Sequence, residues 1–492
     1  MSFLGIDIGT SGCKSVAFDE CGQIIASHYR EYDTTRDATG RSEIDARDVW
    51  DKIAETIRVC ASATKSDPIS GISVTSMGES MVPLNANYQI CGPSVLGSDL
   101  RGVEEAMARL EAVFTPEELY RITAAPYCSG YSFTALYYLS HAKPDYWKNV
   151  KLLLPWADFA VFQLTGVAAA DYSLAERTYC FDAAKKTWSR KILSALDLTD
   201  EKLPTAKPSG MVVGKADSVV AQSLGLPSEA VVALGSHDQC AGMLGAGIGR
   251  HGGAMLGLGT FACMSIAHSD GSTDGAFGRI GLNLEDHIVP GQYASYVYHG
   301  TGGSLVKWMR NQFFRDCTGE DAYIKMDAEI SDACRDVIVL PYFAETGPYR
   351  HQPAGRGAMA DLSLETTRGD LLRAAMAGVV FYFRDALEEL PDAAARIKEI
   401  RITGGGARSK VWRQLTADIL QRPVVKTACP ECGAMGCAVS AAVASGHYRD
   451  FDEAITAMVA MDTACEPQNS KRADDWFARY KERREGLLMH NS

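Results

Sequence analysis

The sequence lacks the short motifs that mark three large classes of enzymes and nucleotide-binding proteins. It contains no GxxxxGK[ST] stretch, which excludes a P-loop nucleotide site. No GxGxxG follows the first predicted strand to open a helix, which disfavours a dinucleotide-binding Rossmann domain. A GxSxG elbow is also missing, which disfavours a hydrolase with an elbow serine. Any chemistry must therefore come from other stretches.

Long apolar runs and an excess of positive charge are missing as well. No run of about 18 apolar residues occurs, and the opening MSFLGIDIGT has neither the basic start nor the apolar core of a signal peptide. We therefore expect a cytosolic protein with no membrane partner. The net charge of -12 gives no reason to expect a nucleic acid partner, although local amides and a few cations can still bind an anionic small molecule.

The chain has 14 cysteines, but their placement is not that of a disulfide framework. They are scattered through apolar stretches such as DQCAGML, which is typical of reduced, buried thiols. The segment CPECGAMGC supplies Cys429, Cys432 and Cys437 and raises the hypothesis of a zinc site. That segment lacks a fourth ligand and a second CxxC, and a small-residue helix follows it, so zinc is the weaker interpretation.

Length and periodicity predict an α/β protein in two parts. A chain of 492 residues is too long for one hydrophobic core. Short β-rich runs alternate with helical stretches. The predicted strands are FLGIDIG, GISVTSM, AVVALG, AMLGLGT, VIVLPYF and EIRITGGG, and two predicted helices are DARDVWDKIAETIRVCASA and GDLLRAAMAGVVFYFRDALEEL. Glycines cluster around Gly245 without a low-complexity linker, so we place domains at 1–244 and 245–492, facing each other across a central cleft.

A weak internal repeat supports a duplication. When the chain is shifted by 250 residues, IGTSGCKSVAFDECG aligns with LGTFACMSIAHSDGS, and Gly9, Thr10 and Cys13 meet identical residue types. Both copies are typical of a strand, a Gly-Thr turn and a second strand. Asp7 aligns with Gly257, so only the first copy carries an acid, and a ligand between the two turns would meet an asymmetric charge.

The two Gly-Thr turns are candidate phosphate loops. Such turns expose backbone N–H groups and a hydroxyl with little side chain in the way, which is what phosphate oxygens need. Lys14 would add a positive charge, and Asp7 would hold Mg²⁺ through water, because magnesium prefers carboxylate and water oxygens. Taken singly, each turn is better explained as an ordinary hairpin turn.

Two further stretches lie where a strand passes into a helix. GSHDQCAG places Asp238 there, either as a plain helix N-cap or as a carboxylate that accepts a proton from an attacking hydroxyl. We interpret the neighbouring His237 as a bystander. ITGGGARSK has three consecutive glycines before a helix, more than a tight connection requires. They would let a flat ring or a phosphate approach the backbone beside the positive end of the helix.

Taken together and in this order, these stretches resemble the FGGY carbohydrate kinases, the group that includes xylulokinase, gluconokinase and glycerol kinase. GIDIGTSGCK resembles the family's first phosphate motif, GSHDQCAG its catalytic-aspartate motif, GLGTFACM its second phosphate motif and ITGGGARSKVWRQLTADI its adenosine motif. Further similar segments are HGTGGSLVKWMRNQF, GRGAMADLSLETTRGDLLRAAMAGVVFYF, and LLPWADFAVFQLTG followed by DYSLAERT. The resemblance runs nearly from end to end.

The resemblance implies two duplicated actin-like, ribonuclease-H-like domains around a cleft that holds ATP, Mg²⁺ and a sugar or sugar alcohol. The N-terminal domain would bind the sugar and carry the first phosphate loop and the catalytic aspartate, and the C-terminal domain would bind the nucleotide. Asp238 would be the general base, Asp7 would serve magnesium, and Gly78, Glu79 and Asp99 would bind the acceptor with Asp238. The implied nucleotide-binding residues are Gly9, Thr10, Ser11, Gly12, Lys14, Gly259, Thr260, Gly303, Lys307, Gly405, Gly406 and Lys410.

Departures from the family pattern lie almost entirely in the acceptor region. Xylulokinases read QMHG and glycerol kinases read QRET where this chain reads Met77-Gly78-Glu79-Ser80, so Glu79 matches the glycerol kinases and Gly78 loses their arginine. Gly97 stands where the family usually has a tryptophan. The missing indole predicts extra room, which disfavours a standard pentulose and permits a longer or differently shaped polyol. Glu79 would also repel an anionic sugar acid.

We therefore expect an enzyme that uses ATP to phosphorylate a hydroxyl on a small ketose or polyol. The alternative is a non-catalytic actin-like ATP-binding protein, which would share the paired phosphate loops but would need neither Asp238 nor the acceptor cluster. A homodimer is the expected oligomer, if the chain forms one. The sequence leaves open which acceptor is used, which hydroxyl is phosphorylated, and how the activity is regulated.

Overall fold

The structure is a computed structural model that describes residues 1–319, 321–331, 333, 335–347, 349 and 355–489. Its strands are β1 (Ser2–Ile8), β2 (Gly12–Asp19), β3 (Ile24–Glu31), β4 (Thr35–Arg36), β5 (Ser42–Ile44), β6 (Ile69–Ser76), β7 (Met81–Leu84), β8 (Ser94–Val95), β9 (Leu152–Pro155), β10 (Ala169–Asp171), β11 (Phe181–Asp182), β12 (Thr187–Trp188), β13 (Thr205–Lys207), β14 (Val212–Lys215), β15 (Val231–His237), β16 (Gly253–Leu258), β17 (Ala262–His268), β18 (Glu285–Asp286), β19 (Tyr293–His299), β20 (Ile338–Leu340), β21 (Ala358–Ala360), β22 (Ile400–Thr403) and β23 (Val424–Lys426).

Helices separate these strands throughout the chain. They are α1 (Ala46–Ala63), α2 (Val103–Glu111), α3 (Pro116–Thr123), α4 (Phe133–Ala142), α5 (Pro144–Asn149), α6 (Trp156–Thr165), α7 (Tyr172–Glu176), α8 (Arg190–Ala195), α9 (Ser218–Leu224), α10 (Asp238–Gly245), α11 (Ala276–Arg279), α12 (Gly303–Phe313), α13 (Ala322–Ala328), α14 (Arg368–Glu388), α15 (Pro391–Arg396), α16 (Lys410–Leu420), α17 (Cys432–Ala444), α18 (Phe451–Met458) and α19 (Ser470–Met489), with 3₁₀ turns at Asp200–Lys202 and Gly405–Arg408. In the described part of the chain, none of these helices is both long and apolar enough to cross a membrane.

The two large sheets repeat one topology. Their strand orders are β14-β15-β6-β1-β2-β3 and β18-β19-β17-β16-β22-β23. In each sheet an antiparallel meander of three strands, β1-β2-β3 or β16-β17-β19, is extended by two parallel strands, β6-β15 or β22-β23. The predicted α/β class and duplicated architecture are confirmed, and all six predicted strands and both predicted helices are present.

The long helices form for reasons that their sequences show. The side chain of Asp45 caps α1 by accepting hydrogen bonds from two backbone N–H groups of the first turn, and Val49, Ile53 and Ile57 form its buried stripe. A reciprocal capping box at Thr367 begins α14, which is buried over almost its whole length. These helices hold the sheets in place around the space between them.

The last strand-helix unit of each half brings the halves together. Helix α10 follows β15, helix α17 follows β23, and the two helices pack directly against each other. Glycines allow this contact, because a Cβ at Gly245 would lie 1.9 Å from the Cys432 carbonyl oxygen and one at Gly436 would lie 1.9 Å from the Ala241 carbonyl oxygen. Helix α17 also packs on β1 and β6 of the N-terminal sheet. The boundary between residues 244 and 245 stays a prediction.

The two Gly-Thr hairpins differ in register by one residue. Asp7 pairs with Lys14 across the first hairpin, and Gly257 pairs with Cys263 across the second. Lys14 and Cys263 are therefore equivalent, and the alignment of Cys13 with Cys263 is wrong by one residue after the turn. Because neighbours along a strand face opposite sides, Cys13 lies in the hydrophobic core whereas Cys263 faces the space between the halves.

Candidate active site

A cleft of about 880 Å³ lies between the two halves, with residues of both large sheets in its wall. Of the residues predicted for the site, the cleft brings together Asp7, Glu79, Asp238, Gly259 and Thr260. A volume of this size is within the range of about 300 to 1,000 Å³ seen for small-molecule sites. Carboxylates from the first half therefore share one cleft with the turn predicted to bind phosphate in the second half.

Asp238 is positioned by the crossover from β15 to α10. The strand ends at His237, the helix begins at Asp238, and the Asp238 side chain remains 38% exposed. Its Oδ1 lies 3.2 Å from His237 Nε2, and His237 Nδ1 lies 2.8 Å from Glu285 Oε1. The bystander interpretation of His237 does not fit these contacts, because this imidazole joins the candidate base to a buried carboxylate of the other half.

Glu285 is ionised and held by several partners. Burial raises the pKa of its carboxyl group, but the hydrogen bond and charge of His237, the charge of Arg177 and the Tyr296 hydroxyl lower that pKa more, so it lies below its usual value. Tyr296 donates to Glu285 Oε1 at 2.8 Å. The neighbouring Asp286 carboxylate pairs with Lys186 of the N-terminal half. Strand β18 thus connects the C-terminal half to the part of the cleft lined by Glu79, Arg177 and Asp238, which we call the acceptor side.

Asp7 lies near the end of β1, opposite Lys14. Burial in the surrounding protein and the charge of Asp238 raise the pKa of Asp7 to about 7, although Lys14 acts in the opposite direction. Lys14 Nζ is 2.7 Å from Oε2 of Glu431, which precedes α17 and lines the cleft. Gly433 in the first turn of α17 approaches so closely that an added Cβ would lie 2.7 Å from Asp7 Oδ2.

The first Gly-Thr turn is closed by its own backbone and leaves its tip in solvent. The Gly9 N–H donates to the Gly12 carbonyl oxygen at 2.9 Å, and the Tyr32 hydroxyl donates to the Gly9 carbonyl oxygen. Thr10 and Ser11 are exposed at the tip. Among the described residues that line the cleft, the first hairpin contributes Asp7 but none of residues 9–14.

The second turn is held by the start of helix α12. The Gly303 N–H donates to the Gly259 carbonyl oxygen at 2.7 Å, and the Gly302 and Ser304 N–H groups each donate to the Thr260 carbonyl oxygen at 3.1 Å. The structure thus brings three of the predicted nucleotide-binding residues, Gly259, Thr260 and Gly303, into contact. Lys307, one helical turn further along, is exposed and is not among the described residues that line the cleft.

The triple glycine follows β22 and approaches the second hairpin. Gly404 has φ +83°, and an added Cβ would lie 2.8 Å from the Leu258 carbonyl carbon, so glycine is required for this close approach. A Cβ at Gly405 would meet nothing within 4 Å. Gly404 lines the cleft, whereas Gly405, Gly406 and Lys410 lie just beyond its described lining.

The acceptor region is built differently from the prediction. Gly78 is not an open position, because an added Cβ would lie 2.7 Å from Arg177 Cγ. Gly97 does not provide extra room either, because its added Cβ would lie 2.4 Å from the Gly130 carbonyl oxygen and 2.8 Å from Glu79 Cβ. The prediction of space for a longer polyol is therefore wrong: the backbone of residue 130 fills the position.

Asp99 is buried away from the described cleft lining. Its Oδ2 accepts from the Ser42 N–H at 2.7 Å, and Arg101 Nε donates to its Oδ1 at 2.9 Å. Arg101 also pairs with Glu43 and stacks on Tyr138, with 4.4 Å between the guanidinium carbon and the ring centroid. The structure therefore places Asp99 in a buried ion network that supports the acceptor region.

Three polar residues of the cleft and one buried residue behind it were missed by the sequence reasoning. Arg177 lines the cleft, Tyr131 packs on Arg177, and Glu431 holds Lys14. Glu285 is buried behind Arg177. Arg177 lies within DYSLAERT, a stretch recognised only as a family landmark. Nothing else in that polar stretch set Arg177 apart.

The zinc hypothesis is not supported by the geometry. Cys432 bonds Thr427 and the Cys429 carbonyl oxygen, whereas the Cys437 thiol faces the Ile6 carbonyl oxygen of β1. Within the described ranges, the one group of three potential ligands that gathers within 4.8 Å is formed by residues 316, 317 and 329. Arg368 pairs with both carboxylates of that group, so a cation already neutralises it.

Comparisons with known proteins agree along nearly the whole chain. The model of the FGGY family of carbohydrate kinases, N-terminal domain, matches residues 2–245, and the model of the C-terminal domain matches residues 254–445. The xylulose kinase of Staphylococcus epidermidis is 25% identical over 479 residues, which cover 97% of this chain and 94% of that protein. The glycerol kinase of Ralstonia nicotianae is 27% identical over 470 residues, which cover 92% and 91%.

A solved structure has the same fold. The crystal structure of xylulose kinase from Rhodospirillum rubrum matches with a TM-score of 0.90 and 26% sequence identity, covering 100% of this chain and 99% of that one. Matches to enzymes along the full length favour a catalytic protein over a non-catalytic actin-like one.

Proposed function

The chain belongs to the FGGY family of carbohydrate kinases and is a carbohydrate kinase with ATP as phosphate donor, and from this premise we propose that Asp238 is its general base and a small neutral ketose or polyol its acceptor. Xylulose is the first candidate. The observation that carries the proposal is that Asp238 opens α10 in the same cleft as Glu79 and the Thr260 turn. A base, an acceptor-side carboxylate and a phosphate turn are the parts that phosphoryl transfer needs.

In this mechanism Asp238 accepts the proton of the acceptor hydroxyl while the hydroxyl oxygen attacks the γ-phosphorus of ATP in line. The bond from phosphorus to the ADP oxygen breaks as the new phosphate ester forms. Backbone N–H groups of the two Gly-Thr turns and the Lys14 ammonium group stabilise the charge that spreads over the transferred group. Asp238 Oδ1 lies 3.2 Å from His237 Nε2, close to the imidazole while Asp238 carries the proton.

The predicted nucleotide site keeps its assignments in this proposal. Gly9, Thr10, Ser11, Gly12 and Lys14 belong to the first hairpin, and Gly259, Thr260 and Gly303 form the connected group at the second. Gly405 and Gly406 follow the close approach at Gly404, beside the N-terminus of α16, which favours a nucleotide phosphate or a flat ring there. Lys307 and Lys410 are exposed and would contact the nucleotide from its rim.

A magnesium ion fits the donors at Asp7. Burial and the charge of Asp238 raise the pKa of Asp7, so its ionised form is disfavoured in this cleft, and a divalent cation would offset both effects. Asp7 is the residue that would hold the ion through water, with oxygen donors that suit magnesium. When bound, the ion neutralises phosphate charge and favours the ionised form of Asp7.

The acceptor is proposed to be neutral because acidic groups dominate its side of the cleft. Glu79 and Asp238 line it with one guanidinium group, that of Arg177, and the buried Glu285 carboxylate lies behind Arg177. A sugar hydroxyl donates well to a carboxylate, whereas a second carboxylate is repelled. The filled space at Gly97 removes the reason to expect an enlarged acceptor, which returns a pentulose to first place. This also accords with the names of the relatives.

An ADP-release assay with Mg-ATP and a panel of acceptors tests the proposal. The panel contains xylulose, ribulose, erythritol, glycerol and gluconate, and each is measured with the wild type and with Asp238→Asn. We expect turnover with one neutral member, and a loss of about 10²- to 10⁴-fold in the variant with nucleotide binding retained. Asp217→Asn, at the exposed N-cap of α9, is the matched control and should keep full activity.

Two results would reject parts of the proposal. Near-normal turnover of Asp238→Asn would remove Asp238 as the base. Turnover confined to gluconate would reject the neutral acceptor.

A further inference from the structure

Arg177 occupies the position that a side chain at residue 78 would take. A Cβ on Gly78 would lie 2.7 Å from Arg177 Cγ and 3.0 Å from Arg177 Nε. Gly78 does not have a positive φ, so its backbone conformation does not itself require glycine. The guanidinium group thus reaches the acceptor side from the end of α7, almost a hundred residues further along the chain than Gly78.

The same guanidinium group is committed to carboxylates from both halves. Arg177 Nη2 pairs with Glu79, and Nη1 lies 3.6 Å from Glu285 Oε2. The group also stacks on Tyr131, with 4.8 Å between its central carbon and the ring centroid. Its side chain is 18% exposed, so the charges interact at the edge of the protein interior, where water screens them less than at an open surface.

We propose that the Glu79–Arg177 pair is a charge filter that determines acceptor specificity. This inference rests on the proposed function and names the residues that would set its substrate class. Arg177 holds Glu79 at the acceptor, and its Nη2 and Nη1 face Glu79 and Glu285, whereas its buried Nε has no hydrogen-bond partner among the described residues. A neutral sugar finds a carboxylate acceptor for its hydroxyls, whereas a sugar acid meets a cation whose charge two carboxylates already offset.

The filter makes a directional prediction. Glu79→Gln keeps the shape of the side chain but releases one arm of Arg177, which then becomes available to a ligand carboxylate. Gain of a charged hydrogen bond should raise kcat/KM for gluconate by about 10- to 100-fold, while kcat/KM for the neutral acceptor falls. If the pair had a purely structural role, Glu79→Gln would lower kcat/KM for gluconate and for the neutral acceptor together.

Moving the arginine provides the second test. Arg177→Ala leaves Glu79 without its partner and should raise KM for the neutral acceptor by about 10- to 100-fold with KM for ATP unchanged. Adding Gly78→Arg to Arg177→Ala supplies a guanidinium group from residue 78 and fills the vacated space, so it should restore a large part of the loss. Gly78→Arg alone meets Arg177 and should be impaired.

The controls separate folding defects from failure of the filter and from failure of the proposed function. Arg121→Met, which removes an exposed arginine paired with Glu117 on α3, should behave as wild type. Thermal unfolding of every variant shows whether a loss is structural. If the wild type phosphorylates neutral sugars but Glu79→Gln gains no sugar-acid activity and the relocated arginine restores nothing, the filter is wrong and the function stands. If the wild type prefers gluconate, both are wrong.

Discussion

The two Gly-Thr hairpins share a topology but differ in charge at one equivalent pair. The first presents Asp7 opposite Lys14, and the second presents Gly257 opposite Cys263. The first pair places two charged groups beside the cleft, whereas the second offers only backbone and a thiol whose pKa burial raises to about 12. A duplicated scaffold therefore supplies two similar turns, and a single strand position assigns the ionic chemistry to one of them.

Alanine substitution at Asp7 should have the largest effect, and the same substitution at the equivalent Gly257 should have a much smaller one. Asp7→Ala removes the proposed magnesium-binding carboxylate and should lower kcat/KM by about 10²- to 10⁴-fold, the scale of a lost metal-ion contribution. Gly257→Ala adds a methyl group that meets only ordinary contacts, the nearest 3.7 Å away, and should cost far less. Kinetics with a magnesium titration would measure both. Equal losses in the two variants would remove the functional difference between the hairpins.

The difference should also appear in stability as a function of pH. The folded pKa of Asp7 is about 7 against an ordinary 3.8, because burial and Asp238 raise it. Between these values the folded protein binds a proton that the unfolded chain releases, so this contribution to stability is lost as pH rises through about 7.

Asp7→Asn cannot ionise and should therefore gain in Tm relative to wild type between about pH 5 and about pH 8, by about 2–4 °C per kcal/mol. The scans are run without magnesium and with a chelator. Gly257→Ala should show a difference from wild type that does not vary with pH. A gain for Asp7→Asn that shrinks toward high pH would contradict the stated cause.

The smallest effect is expected at Lys14. Its ammonium group lies 2.7 Å from Glu431, and a phosphate has to compete with that carboxylate, whereas the second hairpin has no charge at the equivalent Cys263. Glu431→Gln should lower KM for ATP by about 2- to 5-fold, because partly exposed ion pairs contribute less than about 1 kcal/mol. Asp48→Asn, which breaks the exposed pair with Lys52, is the control. A raised KM would mean that Glu431 assists the nucleotide.

The sequence allowed the topology and the position of Asp238 between a strand and a helix to be predicted because both follow from local patterns. Strand periodicity, glycine turns and the crossover at Asp238 are properties of short segments. The register of the second hairpin was missed because a one-residue change in a turn leaves the identities of Gly259 and Thr260 aligned while it reverses the faces of the following strand.

The acceptor side was predicted poorly because its contacts are non-local. Arg177 meets Glu79 from the end of α7, and Glu285 reaches Arg177 from the other half of the chain. A missing side chain at Gly97 indicated empty space in the sequence, but the Gly130 backbone fills it. The lack of a side chain at one position therefore predicts a cavity only when the position of the neighbouring backbone is known.

The acidic acceptor side has a consequence for what happens after the transfer. With the proposed neutral sugar as acceptor, the product would carry a phosphate group of about two negative charges near neutral pH. Glu79 and Asp238, which line the cleft, would repel that dianion. The cleft would therefore favour release of the sugar phosphate product, and accumulated sugar phosphate should be a weak inhibitor.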